Sequence, residues 1–151
     1  MKKALYFLSL AACMVLLASC KKEKEEAEPT PVEAELTMFY TPAFEAGQID
    51  SDWNKIAITI KGVDIVSGSY YFDETKVVDA SGTPEELVKN KGVKLTADQL
   101  GSVNSAEGLL IIKENLKEET DYKTVLVVSN SAGSSKTLVE TFTTCQVPPP
   151  M

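Results

Sequence analysis

Apolar and polar residues alternate most cleanly in Lys55-Ile56-Ala57-Ile58-Thr59-Ile60-Lys61, a period of two that places Ile56, Ile58 and Ile60 on one face of a strand. A weaker alternation occupies residues 34–40, and Gly62-Val63-Asp64 supplies a turn into a further strand over 65–73. That strand carries Tyr70-Tyr71-Phe72, whose rings must divide between its two faces, so at least one points outward or lies at a sheet edge. Leu109-Leu110-Ile111-Ile112 is a compact apolar run that suits a strand buried in a sandwich. Strands over 122–130 and 136–144 complete the set, joined by Ser131-Ala132-Gly133-Ser134 as a hairpin loop.

Residues 83–105 have a different texture. Thr83-Pro84-Glu85-Glu86 reads as a helix start, with Thr83 as N-cap, Pro84 in the first helical position and Glu86 closing a capping box, and Gly92 is a stop signal. Thr96-Ala97-Asp98-Gln99 repeats the box, and Leu100 with Val103 supplies an apolar face. Two short helices are predicted, interrupting the strands by crossing from one sheet to the other and covering an edge.

Ahead of the strands the chain changes character twice. Lys2 and Lys3 precede an apolar stretch from Ala4 to Ala18, with small residues before Cys20. This is a secretory signal layout, and the stretch falls short of the ~18 to 20 residues that span a bilayer. Leu17-Ala18-Ser19-Cys20 resembles the lipobox of bacterial lipoproteins. The resemblance implies cleavage between Ser19 and Cys20, lipid on the Cys20 thiol, an acylated new amino terminus and attachment to the outer membrane. The plain alternative is an ordinary signal peptide with an incidental cysteine.

Residues 20–33 are charged and proline-bearing with nothing to bury, so they read as a disordered tether. Their lysine-then-acid order also resembles the export signal of Bacteroidota-type surface lipoproteins, which implies a domain facing outward; a solvated linker is the alternative. Residues 146–151, with Pro148-Pro149-Pro150, form a proline-rich tail similar to an interdomain linker, and leave open that the chain is one piece of something larger.

Composition narrows the chemistry. The net charge is −7, and loss of residues 1–19 would remove Lys2 and Lys3 and make the chain more acidic, so nucleic acid is not expected as a partner. All 15 basic residues are lysine and there is no histidine. Triads and dyads built on histidine, imidazole metal ligands and bidentate arginine clamps are therefore excluded. Of three cysteines, processing would leave Cys20 with lipid and Cys145 alone, without an intrachain disulfide. No cofactor is expected, and no glycine-rich phosphate loop, zinc-spaced cysteines or nucleophile elbow occurs.

The tail carries a recognisable constellation: Leu116-Lys117-Glu118-Glu119-Thr120-Asp121-Tyr122, then Asn130 with Gly133, then Thr141-Phe142-Thr143-Thr144. It resembles the last three strands of a fibronectin type III-like domain. The resemblance implies an all-β, antiparallel immunoglobulin-like sandwich over residues 34–145 with a short two-helix insertion. It also gives Leu116, Thr120 and Tyr122 a structural role, with Tyr122 as a tyrosine corner whose hydroxyl returns to an upstream backbone group. Trp53 departs from the pattern, since it stands in polar Asp50-Ser51-Asp52-Trp53-Asn54 ahead of the isoleucine strand.

Two groups of side chains are candidate sites. Asp50 and Asp52, with Asp73 and Glu74, are hard oxygen donors, but without the spacing and glycine turn of a calcium loop they read as turn carboxylates and no metal site is assigned. Trp53, Tyr40 and Phe44, with Phe39, could form a stacking platform for a sugar ring, although packing in a small β core is their simpler role. The expectation is a non-catalytic, membrane-anchored lipoprotein serving as a spacer or as a binding module for extracellular protein or glycan. The rivals are an accessory subunit of a larger surface complex and a carboxylate-dependent glycoside hydrolase. The latter needs two acids about 5 to 9.5 Å apart across a cleft.

Overall fold

A computed structural model describes residues 28–40 and 54–146. The expected signal, Cys20 as expected lipid site, most of the expected tether, the Asp50 and Asp52 pair, Phe44, Trp53 and Pro148-Pro149-Pro150 lie outside the described residues. Among those described, strands β1 (Ala34–Tyr40), β2 (Ile56–Gly62) and β5 (Leu109–Lys113) form one antiparallel sheet in the order β1-β2-β5. Strands β3 (Ile65–Glu74), β4 (Val93–Lys94), β6 (Asp121–Asn130) and β7 (Ser135–Thr143) form a second, in the order β4-β3-β6-β7. The protein is mostly β, two antiparallel sheets packed face to face, with short helices.

The isoleucine alternation fixes the inner face. Ile56, Ile58 and Ile60 are completely buried, and opposite them Tyr70, Leu126 and Val128 line the other sheet. Each buried branched side chain of this kind contributes roughly 1.5–3 kcal/mol through removal from water. Ala57 is also fully buried, although its parity puts it on the opposite face. Register explains the choice of a small residue, since Ala57 is flanked by Phe39 on β1 and Ile112 on β5.

Both helices predicted within residues 83–105 are present, and among the described residues a third precedes them. Helix α1 (Thr75–Asp79) follows β3 directly and has no side-chain cap. Helix α2 (Pro84–Lys91) begins at Thr83, whose hydroxyl accepts from the Glu86 N–H at 3.4 Å. Helix α3 (Ala97–Val103) has the full reciprocal box: Gln99 N–H donates to Thr96 Oγ1 at 3.3 Å and Thr96 N–H to Gln99 Oε1 at 2.9 Å. Gly92 stops α2 because the backbone closes there: a Cβ would lie 2.3 Å from the Val88 carbonyl oxygen.

The helices do not cover an edge as predicted. Val78 of α1 and Leu87 and Val88 of α2 pack on Val125, with Tyr71 and Val127, over the outer face of the four-stranded sheet. This second, smaller core needs apolar residues on both sides of β6, which Val125-Leu126-Val127-Val128 provides. Helix α3 sends fully buried Val103 into the main core instead, on the route from β4 in one sheet to β5 in the other.

Two further expectations need correction. The apolar run of β5 is not buried on both sides, since Leu110 is 58% and Ile112 42% exposed. The ordered domain also starts earlier than residue 34, with Val32 in the main core and the Val63 N–H donating to the Glu33 carbonyl at 3.0 Å.

Candidate functional site

The described domain has two poles, set by the ends of β6. At the Asn130 end the entering chain is clamped: the Asn130 side-chain amide donates to the carbonyl of Thr30 at 3.0 Å, while its oxygen accepts from the Ser134 N–H at 3.0 Å. Asn130 is 4% exposed, so the bond is shielded from competing water. Beside it Asp64, in the left-handed region at φ 57°, accepts from both the hydroxyl and the N–H of Ser131 and ties the β2 to β3 turn to the β6 to β7 hairpin. A second asparagine acts similarly. Asn104 accepts from the Ile65 N–H and donates to the Ile65 carbonyl, both at 2.8 Å, replacing a strand partner where the β3 to β6 register slips.

At the Asp121 end, hydroxyls do the joining. Tyr122 is buried, its ring is stacked on Phe72 with centroids 5.3 Å apart, and its hydroxyl accepts from the Lys117 N–H at 2.9 Å. Leu116 is buried below that corner, and its N–H donates to the Asn54 carbonyl at 3.1 Å. Thr120 N–H donates to the hydroxyl of buried Thr144 at 3.0 Å, and the Thr144 N–H to the Thr120 carbonyl at 3.1 Å. These bonds draw the departing strand against the loop that precedes β6.

The residues of the aromatic platform fare differently. Tyr40 is not offered to solvent as a stacking surface: it meets Phe142 edge to face with centroids 4.8 Å apart, and its hydroxyl accepts from the Cys145 N–H. Burial, reinforced by a hydrogen bond with the Cys145 side chain and opposed by the one from the Cys145 N–H, pushes the Tyr40 phenol up to about 12. Phe39 lies half-buried on the outer face of the three-stranded sheet. Trp53 and Phe44 fall outside the described residues, so no platform is assembled from those described.

The carboxylates are engaged elsewhere too. Glu74 is paired with Lys117 and, at 2.7 Å, with Lys76; the hydrogen bond from Lys117 and then that from Lys76 hold its carboxyl below the usual range. Asp73 accepts from the Tyr71 hydroxyl at 2.9 Å and from the Glu74 N–H at 2.8 Å. No group of three or more metal-ligating side chains occurs among the described residues. Cys145 is half-buried at the departing end, its carbonyl accepting from the Glu119 N–H at 3.3 Å.

The geometry is therefore that of a module clamped at both ends. Its family is not given by comparison: no protein-family model and no curated protein matches the chain. The sequence did single out Asn130, Thr144 and Tyr122, but it carried no signal for the Asn104 amide, whose partner is 39 residues away.

Proposed function

We propose that this chain is a lipid-anchored envelope protein, attached to the outer membrane through Cys20 and facing outward. Its domain is a non-catalytic fibronectin type III-like module that stands off the membrane and presents a binding surface to extracellular glycan or protein. The observation that carries this reading is the placement of the two ends. The chain enters at the Asn130 end of β6 and leaves beside its Asp121 end, with Thr30 held at one and Thr144 at the other. β6 is ten residues long, so the poles are separated by roughly 30 Å at ~3.3 Å per residue. A module threaded from pole to pole extends its reach from an anchor, whereas adjacent ends would fold it back.

The fibronectin-like assignment is supported by three strands facing four, a final β6 to β7 hairpin and the Tyr122 to Lys117 bond. Against a carboxylate-dependent hydrolase stands the engagement of Glu74 by two lysines, which leaves it unsuited to proton transfer. Protease shaving of intact cells tests the display. The domain should be cut under conditions that cut a known surface protein; survival there means it does not face outward.

A further inference from the structure

We infer that the cleft between α2 and the outer face of β3 and β6 binds an acidic sugar unit of a glycan. The inference rests on the binding-module reading and names its ligand class. The cleft has a volume of about 520 Å³, within the ~300–1,000 Å³ of small-ligand sites. It lies where the helical cover of the four-stranded sheet stops. Tyr71 and Val125 are under the helices and Val127 is half-buried at their margin, but Ser69, Ser67 and Ser129 of the same face border the cleft.

Three kinds of group meet there, and together they describe a sugar acid. Ser67 and Ser69 present hydroxyls that both donate and accept, as sugar hydroxyls require of a partner, and Ser129, whose hydroxyl is bonded to that of Ser135 at 2.7 Å, keeps part of that capacity. Val66, 53% exposed, and Val127 offer apolar surface for the C–H side of a ring. Lys89 of α2 and Lys94 of β4 supply charge.

The lysines decide the ligand's sign. Lys55, Lys76, Lys117 and Lys123 each pair with a carboxylate; Lys89 and Lys94 are among the described lysines that enter no ion pair, with Lys61, Lys91, Lys113 and Lys136, and these two border the same cleft. Two uncommitted cations bordering one cleft of a chain with net charge −7 form a local positive site in a repelling field. Glu85 also lines the cleft, and its carboxylate accepts a hydrogen bond from Thr137, which holds it ionised and leaves it an acceptor for a sugar hydroxyl. A ligand bearing one carboxylate or sulfate among several hydroxyls matches this set; a neutral sugar leaves the ammonium groups unused.

Titration calorimetry on the full chain in detergent, using tetragalacturonate, a sulfated heparin tetrasaccharide and neutral galactotetraose, tests the assignment. At least one acidic probe should bind, at least tenfold tighter than the neutral one and more weakly as salt rises. The Lys89→Gln, Lys94→Gln double variant should lose at least tenfold in affinity at unchanged melting temperature, and Ser67→Val, Ser129→Val should weaken binding as well. Lys61→Gln, on the other sheet, should leave it unchanged. Absence of binding by both acidic probes overturns the proposal. Acid binding that survives the double lysine variant also overturns it, and then leaves the binding-module reading standing at another surface.

Discussion

β5 and β6 carry nearly the same signal, four consecutive apolar residues in Leu109-Leu110-Ile111-Ile112 and in Val125-Leu126-Val127-Val128, and the protein treats them differently. Both send alternate side chains into the inter-sheet core, Leu109 and Ile111 from one, Leu126 and Val128 from the other. On the reverse side Val125 is completely buried beneath α1 and α2, whereas Leu110 and Ile112 stay 58% and 42% exposed. An unbroken apolar run thus states that a strand has two apolar faces, not that both are covered. What covers the second face is supplied by a remote part of the chain, here the helical insertion after β3.

This contrast can be broken or sharpened by substitution. The largest effect is expected from Leu126→Ala, which opens a cavity between the sheets and should cost about 3–5 kcal/mol in denaturant unfolding, with the whole domain responding together. Leu87→Ala strikes the small outer core, where α2 can shift to close the gap, and should cost about 2 kcal/mol. Hydrogen exchange should then quicken first over residues 84–91. Equal, global losses for the two variants would mean that the helices belong to a single core.

Tyr122→Phe keeps the ring on Phe72 and removes only the acceptor of the Lys117 N–H, so it should cost about 1–2 kcal/mol by thermal unfolding. Leu110→Thr with Ile112→Thr should change stability least, by about 0.5 kcal/mol or less, because both side chains are already largely in water. A loss comparable to that of Leu87→Ala would show that the outer face of the three-stranded sheet is covered in the folded protein.

Much of the sheet architecture was legible because it is written locally. The period of two in β2, the turn residues before β7 and the threonine caps of α2 and α3 each act within a few positions. Helix α1 escaped because five residues are too few to show a helical period. The two-residue strand β4 escaped for the same reason. The asparagine clamps were illegible on different grounds. Asn104 looks like an ordinary turn residue, Asn130 stands out only with its hairpin, and their bonds to Ile65 and Thr30 span 39 and 100 positions of sequence. The lysines of the cleft were equally silent, since only the fold separates Lys89 and Lys94 from the lysines that carboxylates engage.

The pole-to-pole threading of the domain has functional meaning only if the entering end is fixed. At ~0.8 kcal/mol per buried methylene, two or three acyl chains on Cys20 would hold the protein stably where one would be marginal. A Cys20→Ala variant, followed by metabolic acyl labelling and membrane fractionation, tests this directly. Loss of the label and departure of the protein from the membrane fraction are the expected result. Retention in the membrane with the signal uncut would contradict it and make the apolar stretch from Ala4 to Ala18 the anchor.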